Sequence, residues 1–185
     1  MGYTSFIIGN IEKHLDNVKC VLDYGAQNDY SKPETPYISE YYLKKGIEYT
    51  CIDLNGENGA IVQDLTEEFD LGRKFDLVVD AGTIEHTSDL YMSFLNLFRH
   101  CKTGGLIYRE NPKTGSWPGH GVNYMTEDFY IGLEKIADIE IFMLGSHPAM
   151  GNYTNDGWDV YCLIIKRGDG FPTREAFEKL DLRPE

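Results

Sequence analysis

The stretch KFDLVVDAGTIEHTSDLYMSFLNLFRHCKTGGLIY, residues 74–108, predicts a strand, a helix and a second strand in that order. Phe75–Val79 and Leu106–Tyr108 are short apolar runs rich in β-branched and aromatic residues, as is typical of buried strands. Between them, Ser88–Cys101 places apolar side chains at three- and four-residue spacing, with Ser88 as a candidate N-cap. A helix between two apolar strands predicts a βαβ unit with parallel strands.

The same alternation continues along the chain. Five more apolar runs predict strands: Val18–Tyr24, Tyr49–Leu54, Ala60–Val62, Ile139–Leu144 and Val160–Ile165. Further helices are predicted at Pro36–Lys45, at Thr126–Ala137 and, as a short segment, after Pro172. The segment between the last two strands is rich in turn-forming residues and contains no good helix, so these two strands are expected to pair antiparallel. The predicted fold class is α/β, Rossmann-like: a seven-stranded, mostly parallel sheet with an antiparallel last strand and helices on both faces.

Length and charge limit the possible classes of protein. A chain of 185 residues suits one domain spanning 1–185, and the net charge of -13 argues against broad binding to nucleic acid or an anionic membrane. The four cysteines form no C-x-x-C pair, so we expect reduced thiols and no zinc site. We find neither a secretory signal nor an apolar window long enough to span a membrane, which predicts a cytoplasmic protein.

An aspartate ends each of four predicted strands: Asp23, Asp53, Asp64 and Asp80. Taken singly, an aspartate after a strand is more often a turn residue or a helix cap. The carboxyl ends of parallel strands share one rim, however, and open α/β sheets bind ligands there. Asp53 follows Gly25 by 28 residues and ends the next strand, which is the place for a carboxylate that binds the hydroxyls of a ribose.

Residues 18–145 resemble the class I S-adenosylmethionine-dependent methyltransferases. Within residues 74–108 the similarity lies in a strand followed by Glu85-His86, a helix ending in Arg-His-Cys-Lys, and a Gly-Gly turn into the next strand. The segment VLDYGAQ, residues 21–27, corresponds to the family's D-x-G-x-G-x-G motif but lacks its later glycines. A sulfonium cofactor carries no pyrophosphate, so the full glycine set matters less than in a dinucleotide site.

The resemblance implies which residues bind S-adenosyl-L-methionine. Asp53, next to Leu54, binds the ribose hydroxyls, and Asp64, next to Leu65, accepts a hydrogen bond from the adenine amino group. The loop around the single glycine approaches the amino-acid end of the cofactor, and the end of the fourth strand forms the wall near its methionine part. These two groups comprise Asp23, Gly25, Ala26 and Gln27, and Asp80, Ala81 and Gly82. A Rossmann dehydrogenase fits less well because G-x-G-x-x-G is absent.

His86, His120 and Glu85 are the candidate catalytic residues. A histidine taken alone is more often structural, but Glu85 and His86 follow the fourth strand, and His120 lies in the long segment after the fifth. Methyl transfer depends mainly on the alignment of nucleophile, methyl group and sulfur, and a base is required only where the acceptor starts protonated. No metal is expected.

The leading hypothesis is a methyltransferase that uses S-adenosyl-L-methionine and acts on a small-molecule acceptor, with oxygen as one candidate acceptor atom. The alternative is a degenerate methyltransferase fold that serves as a binding module or partner subunit without catalysis. The incomplete glycine loop favours the alternative, whereas Asp53, Asp64 and the Glu85-His86 pair favour the enzyme.

Overall fold

The computed structural model describes residues 2–32, 34, 37–149 and 157–180. Within these residues seven strands form one sheet: β1 (Cys20–Tyr24), β2 (Glu48–Asp53), β3 (Ile61–Val62), β4 (Phe75–Ala81), β5 (Cys101–Pro112), β6 (Ile139–Pro148) and β7 (Trp158–Lys166). The α-helices are α1 (Ser5–Glu12), α2 (Ile38–Lys44), α3 (Leu90–His100), α4 (Glu127–Glu134) and α5 (Arg174–Phe177). Every predicted strand is therefore confirmed.

The strand order is β3-β2-β1-β4-β5-β7-β6. The pairs from β3 through β5 are parallel, and β7 runs antiparallel to both of its neighbours, β5 and β6. This confirms the predicted mostly parallel sheet with an antiparallel last strand. The order places the carboxyl ends of β1, β2 and β4 side by side at one rim.

Helices cover both faces of the sheet, as predicted. On one face the apolar side chains of α3, α4 and α5 pack against the sheet, and on the other face those of α1 and α2 do so. Helix α1 was not predicted. Its start is capped by the Thr4 hydroxyl, which accepts from the backbone N–H of Ile7, and it buries Ile7 and Ile11, one turn apart.

Strand β5 is much longer than the predicted Leu106–Tyr108. Its continuation buries Arg109, Glu110 and Asn111, because β4 and β7 pair with both of its edges. Asp80 of β4 is a partner of Arg109 and Asn111, and His147 of β6 is a partner of Glu110. The predicted helix start at Pro36 lies outside the described residues, and α2 begins at Ile38. In the described part of the chain no helix is long and apolar enough to cross a membrane.

Candidate functional site

A cavity of about 460 Å³ opens at the carboxyl ends of β1, β2 and β4. Its volume lies within the usual range for small-molecule sites. Seven of the predicted cofactor residues line it: Ala26, Gln27, Asp53, Leu54, Asp64, Leu65 and Gly82. The candidate catalytic residue His86 also lines it, together with Gln63, Thr66, Thr83, Thr87 and Ser88. The rim predicted from the strand ends thus coincides with a real cavity.

Asp53 connects the end of β2 to the loop after β1. Its Oδ2 accepts from the backbone N–H of Ala26 at 2.9 Å, and its Oδ1 accepts from that of Asn55 at 3.1 Å. A carboxylate has about four acceptor positions, so capacity remains for the hydroxyls of a ligand. Beside it, Leu54 is 66% exposed and offers an apolar surface at the cavity wall.

Asp64 closes the turn after β3. Its Oδ1 accepts from the backbone N–H and the hydroxyl of Thr66, at 2.8 and 2.7 Å, and these hydrogen bonds lower the pKa of Asp64. The carboxyl group is therefore ionised at neutral pH and acts only as an acceptor. That state suits an amino group as its partner. The neighbouring Leu65 is buried and completes this end of the cavity.

The loop after β1 forms its turn around a single glycine, Gly25. Gly25 has a φ of +100°, and a Cβ at this position would lie 2.4 Å from the Thr83 hydroxyl. That hydroxyl donates to the carbonyl of Tyr24 at 2.6 Å and accepts from the Gln27 amide at 2.8 Å. The turn is thus held by side chains from the loops after β1 and β4, and the absence of a Cβ at Gly25 makes room for the Thr83 hydroxyl.

Four predicted cofactor residues lie outside the cavity lining: Gly25 in the loop after β1, and Asp23, Asp80 and Ala81 in the strands. Asp23 is fully buried and its Oδ2 accepts from the hydroxyl of Tyr49 at 2.9 Å; burial raises the pKa of Asp23 well above its ordinary value. Asp80 is fully buried in an ion pair with Arg109 at 2.6 Å, and Ala81 is buried beside it in β4. These residues support the rim from within the protein.

A buried polar network connects β4, β5 and the turn Ile84–His86. Asp80 Oδ1 accepts from the backbone N–H groups of Thr83 and Ile84, at 3.0 and 3.1 Å. The Asn111 amide reaches both Asp80 Oδ2 and Glu85 Oε2, at 3.2 and 3.1 Å. Sequence reasoning missed Arg109 and Asn111, although their signal was present: polar residues directly follow the apolar run of β5, opposite the end of β4.

Glu85, His86 and His120 come together, although 34 residues separate the two histidines (120 − 86). Glu85 Oε1 lies 3.7 Å from His86 Nε2 and 3.9 Å from His120 Nε2, and the two rings are 5.0 Å apart. Burial, followed by the charge of Asp80, raises the pKa of Glu85 to about 8, while burial lowers the pKa of both histidines. Near neutral pH the cluster therefore holds a protonated carboxyl group and neutral imidazoles.

The loop that carries His120 is docked against this cluster. The Glu85 carbonyl accepts from the backbone N–H groups of Val122 and Asn123, at 2.8 and 2.9 Å. The Tyr124 hydroxyl accepts from the backbone N–H groups of His120 and Gly121 and donates to the Trp117 carbonyl. These bonds fix His120 next to Glu85, whereas the cavity lining itself includes only His86 of the two histidines.

Two groups among the described residues have the side chains and spacing to hold a metal ion. One is the Glu85, His86 and His120 cluster; the other is Glu110, His147 and Asp159, outside the cavity. In each group one ligand atom per residue lies within 4.8 Å of the others. In the first group the Glu85 carboxyl lies just beyond hydrogen-bond distance of the two imidazole nitrogens.

Solved structures share this arrangement of strands and helices. A SAM-dependent methyltransferase from Methanosarcina mazei aligns with a TM-score of 0.66 over 90% of this chain and 99% of its own, at 15% identity. A 1,6-didemethyltoxoflavin-N1-methyltransferase from Burkholderia thailandensis, with bound S-adenosylhomocysteine, aligns with a TM-score of 0.62 over 86% and 76%, at 16% identity. The chain has the class I methyltransferase fold.

This fold does not determine the reaction. The cyclase SpnF aligns with a TM-score of 0.64 over 88% of this chain and 81% of its own, at 13% identity. No protein-family model matches the chain, and no curated protein matches it. The class I methyltransferase fold is therefore assigned from structural similarity. The activity depends on the residues of the site.

Proposed function

We propose that the protein binds S-adenosyl-L-methionine in this cavity and transfers the methyl group to a small-molecule acceptor. One observation carries the proposal: Asp53 and Asp64, each next to a leucine, line a single cavity at the rim where three neighbouring strands end. Such a cavity offers acceptors for ribose hydroxyls and an adenine amino group, with apolar surface between them.

The proposed binding mode follows the lining of the cavity. Asp53 accepts from the ribose hydroxyls, and Asp64 accepts from the adenine amino group. The base lies against Leu54, whose large exposed surface is then covered by the ligand. The methionine part extends toward Gly82 and the loop holding Gln27, which leads toward His86.

The chemistry of transfer is a displacement at the methyl carbon. The acceptor atom attacks the methyl group, the carbon–sulfur bond breaks, and its electron pair remains on sulfur. The protein contributes alignment of the two reactants and exclusion of water. His86 lines the cavity with its pKa lowered by burial, so at neutral pH it has a lone pair with which to remove a proton from a hydroxyl. This favours an acceptor that loses a proton, such as an alcohol or phenol.

The second candidate is a binding module without catalysis. The loop with one glycine favours it, since the Gln27 side chain occupies space above Gly25 that the missing glycines of the motif would leave open. A module of this kind would retain the cofactor, or a related nucleoside, and present a surface to a partner.

Calorimetry with S-adenosylhomocysteine tests the proposal. We expect saturable one-to-one binding that weakens in an Asp53→Ala variant. Absence of binding to the folded protein would overturn the proposal. Binding without methyl transfer to any hydroxyl acceptor, tested with radiolabelled cofactor, would favour the binding module instead.

A further inference from the structure

A second cluster of ligand-type side chains lies at the ends of β5, β6 and β7. It consists of Glu110, His147 and Asp159. His147 and Asp159 are partners in the register of β6 and β7, and Glu110 lies one strand further on, in β5. Arg109 and Asn111, which flank Glu110 in β5, belong to the network around Asp80 and Glu85. Because side chains alternate along a strand, Glu110 projects to the opposite face of the sheet.

The charges of this cluster are poorly compensated. Glu110 is 5% exposed and Asp159 is 4% exposed. Among the described residues, His147 is the one ion-pair partner of Glu110, and Asp159 has none. Within the same part of the chain, Asp159 Oδ1 and His147 Nε2 are buried atoms without a hydrogen-bond partner. Two buried carboxylates thus face one imidazole, and their acceptor oxygens outnumber the one N–H that the imidazole can direct at them.

The surrounding hydrogen bonds orient the cluster as they do in metal sites. His147 Nδ1 lies 2.7 Å from the Pro148 carbonyl, so Nδ1 carries the proton and, in the neutral ring, Nε2 keeps its lone pair. The Tyr108 hydroxyl donates to Glu110 Oε2 at 2.7 Å, which leaves Oε1 toward His147. In metal sites a carbonyl commonly accepts a hydrogen bond from the histidine ligand, and ligating carboxylates are in turn hydrogen-bonded. These outer groups orient the ligands. The Phe6 ring lies against the imidazole of His147, with the ring centres 3.9 Å apart and the planes tilted by 40°.

We propose that Glu110, His147 and Asp159 bind a divalent transition-metal ion. The Glu110 Oε1–His147 Nε2 distance of 3.3 Å equals the separation, about 3.3 Å, of two ligands in tetrahedral geometry with bonds of ~2.0 Å. One imidazole nitrogen with two carboxylates suits Zn²⁺ or Mn²⁺. Two carboxylates, a neutral imidazole and a divalent ion add up to no net charge, which removes the cost of burying the anions.

The ion would tie three strand ends to the loop that carries His120. The Lys113 backbone N–H donates to the Trp158 carbonyl, and the Trp158 N–H donates to the Ser116 hydroxyl, at 2.8 Å each. Asp159 is the next residue in β7, so a bond from Asp159 to a metal holds the strand to which the loop is attached. The role proposed for the ion is structural, and it does not depend on methyl transfer.

The test is titration of the full chain, freed of metal with a chelator, with ZnCl₂ or MnCl₂ alone. We expect one saturable site in the wild type and a loss of affinity above ~100-fold in Asp159→Asn, since even outer-shell substitutions cost 10–100-fold. Tyr108→Phe should weaken binding by ~10–100-fold, because it removes only the hydroxyl that orients Glu110. Asp128→Asn, at an exposed position of α4, is the matched control and should bind as the wild type does.

Thermal unfolding distinguishes loss of the metal site in Asp159→Asn from a folding defect of that variant. Without metal, Asp159→Asn should unfold no earlier than the wild type, because it removes one of two facing carboxylates. At ion concentrations ~100-fold above the dissociation constant, the wild type and Asp128→Asn should gain ~5–10 °C, and Asp159→Asn should gain nothing.

Three results would overturn the proposal. The first is absence of saturable binding, which leaves an internal ion pair of protonated His147 with Glu110. The second is equal affinity in the wild type and Asp159→Asn. The third is binding that persists in Asp159→Asn but is lost in the double variant His86→Gln, His120→Gln. That result would place the ion at the cluster of Glu85, His86 and His120.

Discussion

At the scale of single residues, Glu85 shows how position changes the chemistry of a carboxyl group. It is fully buried, near the anionic Asp80 and within 4 Å of two imidazole nitrogens. Its raised pKa allows it to carry a proton at neutral pH, when most glutamates are ionised. A protonated carboxyl is a potential hydrogen-bond donor toward the two imidazole nitrogens, which lie just beyond hydrogen-bond distance of Glu85.

Replacement of Glu85 should change how stability depends on pH. The pKa of Glu85 is raised from 4.5 to about 8 in the folded protein. Between these values the folded state holds a proton that the unfolded state has lost, so stability falls as pH rises toward about 8. Glu85→Gln removes this contribution, and its advantage over the wild type should grow by up to ~1.4 kcal/mol per pH unit between pH 5 and 8.

Urea unfolding at several pH values measures this difference. Glu175→Gln, at an exposed position of α5, is the control and should follow the wild type. If the free energy of unfolding changed with pH in the same way in Glu85→Gln and the wild type, Glu85 would be ionised in the folded state.

Asp53 should dominate nucleoside affinity. Asp53→Ala removes charge-assisted hydrogen bonds to the ribose, each contributing ~1.5–3 kcal/mol, so S-adenosylhomocysteine should bind at least ~10-fold more weakly. Calorimetry measures the change. Asp70→Ala, outside the cavity, is the control; Asp70 accepts from the backbone N–H of Gly72. Equal affinity in Asp53→Ala and the wild type would make the ribose assignment wrong.

The two histidines should affect turnover more than cofactor affinity. If the acceptor is a hydroxyl, loss of the general base in His86→Ala or His120→Ala should lower the rate by ~10²–10⁴. We expect the larger effect for His86, because it lines the cavity and His120 does not. The measurements are turnover with an identified acceptor and, separately, affinity for S-adenosylhomocysteine.

His14→Ala, at a site next to Phe142 and outside the cavity, is the control for these variants. Full turnover in both His86→Ala and His120→Ala would remove histidine from the mechanism and leave alignment alone to explain catalysis.

At the scale of elements, the end of β5 connects the cavity to the rest of the sheet. Arg109 binds Asp80 of β4 through two nitrogens, at 2.9 and 2.6 Å, and its guanidinium lies 4.0 Å from the centre of the Phe94 ring in α3. Asp80 in turn holds the backbone of the turn that carries Glu85 and His86. The position of the turn that carries Glu85 and His86 therefore depends on a buried ion pair between two strands.

Breaking that ion pair on one side should strongly destabilise the protein. Arg109→Met leaves Asp80 buried without its cation, and the expected loss in the free energy of unfolding is ~3–5 kcal/mol. Arg99→Met is the comparison, since the Arg99–Glu68 pair is largely exposed and should contribute at most ~1 kcal/mol. Urea unfolding measures both variants; similar losses in the two would show that burial does not determine the contribution of the Arg109–Asp80 pair.

At the scale of the whole molecule, charge limits the choice of partner. The chain has 30 acidic and 17 basic residues. Proteins that bind nucleic acid gain affinity from lysine and arginine contacts to phosphates, and a surplus of carboxylates opposes this. This surplus is consistent with a small acceptor.

A labelled DNA duplex should therefore show no saturable binding to the protein at ~0.15 M salt, whereas non-specific binders have dissociation constants of 10⁻⁴–10⁻⁶ M under such conditions. Fluorescence anisotropy measures this directly. Saturable binding at micromolar protein would point to a local basic surface and to a nucleic-acid acceptor.

The sequence by itself determined the strands, their mostly parallel arrangement and the rim where Asp53 and Asp64 meet. Each of these follows from local patterns, because an apolar run makes a strand and parallel strands end on the same side. The tertiary structure decided which side chains at the rim face the cavity. Asp23 and Asp80 end strands as Asp53 does, yet Tyr49 and Arg109, brought in by neighbouring strands, bury them.

Tertiary contacts also explain why the two clusters form, one of Glu85, His86 and His120 and the other of Glu110, His147 and Asp159. Glu85 and His86 are adjacent in sequence, but their contact with His120 depends on how the loop of residues 113–124 docks on the Glu85 backbone. Glu110, His147 and Asp159 meet only because β7 inserts between β5 and β6. Strand order and the environment of a buried polar group depend on contacts between distant segments, and no local pattern of residues encodes them.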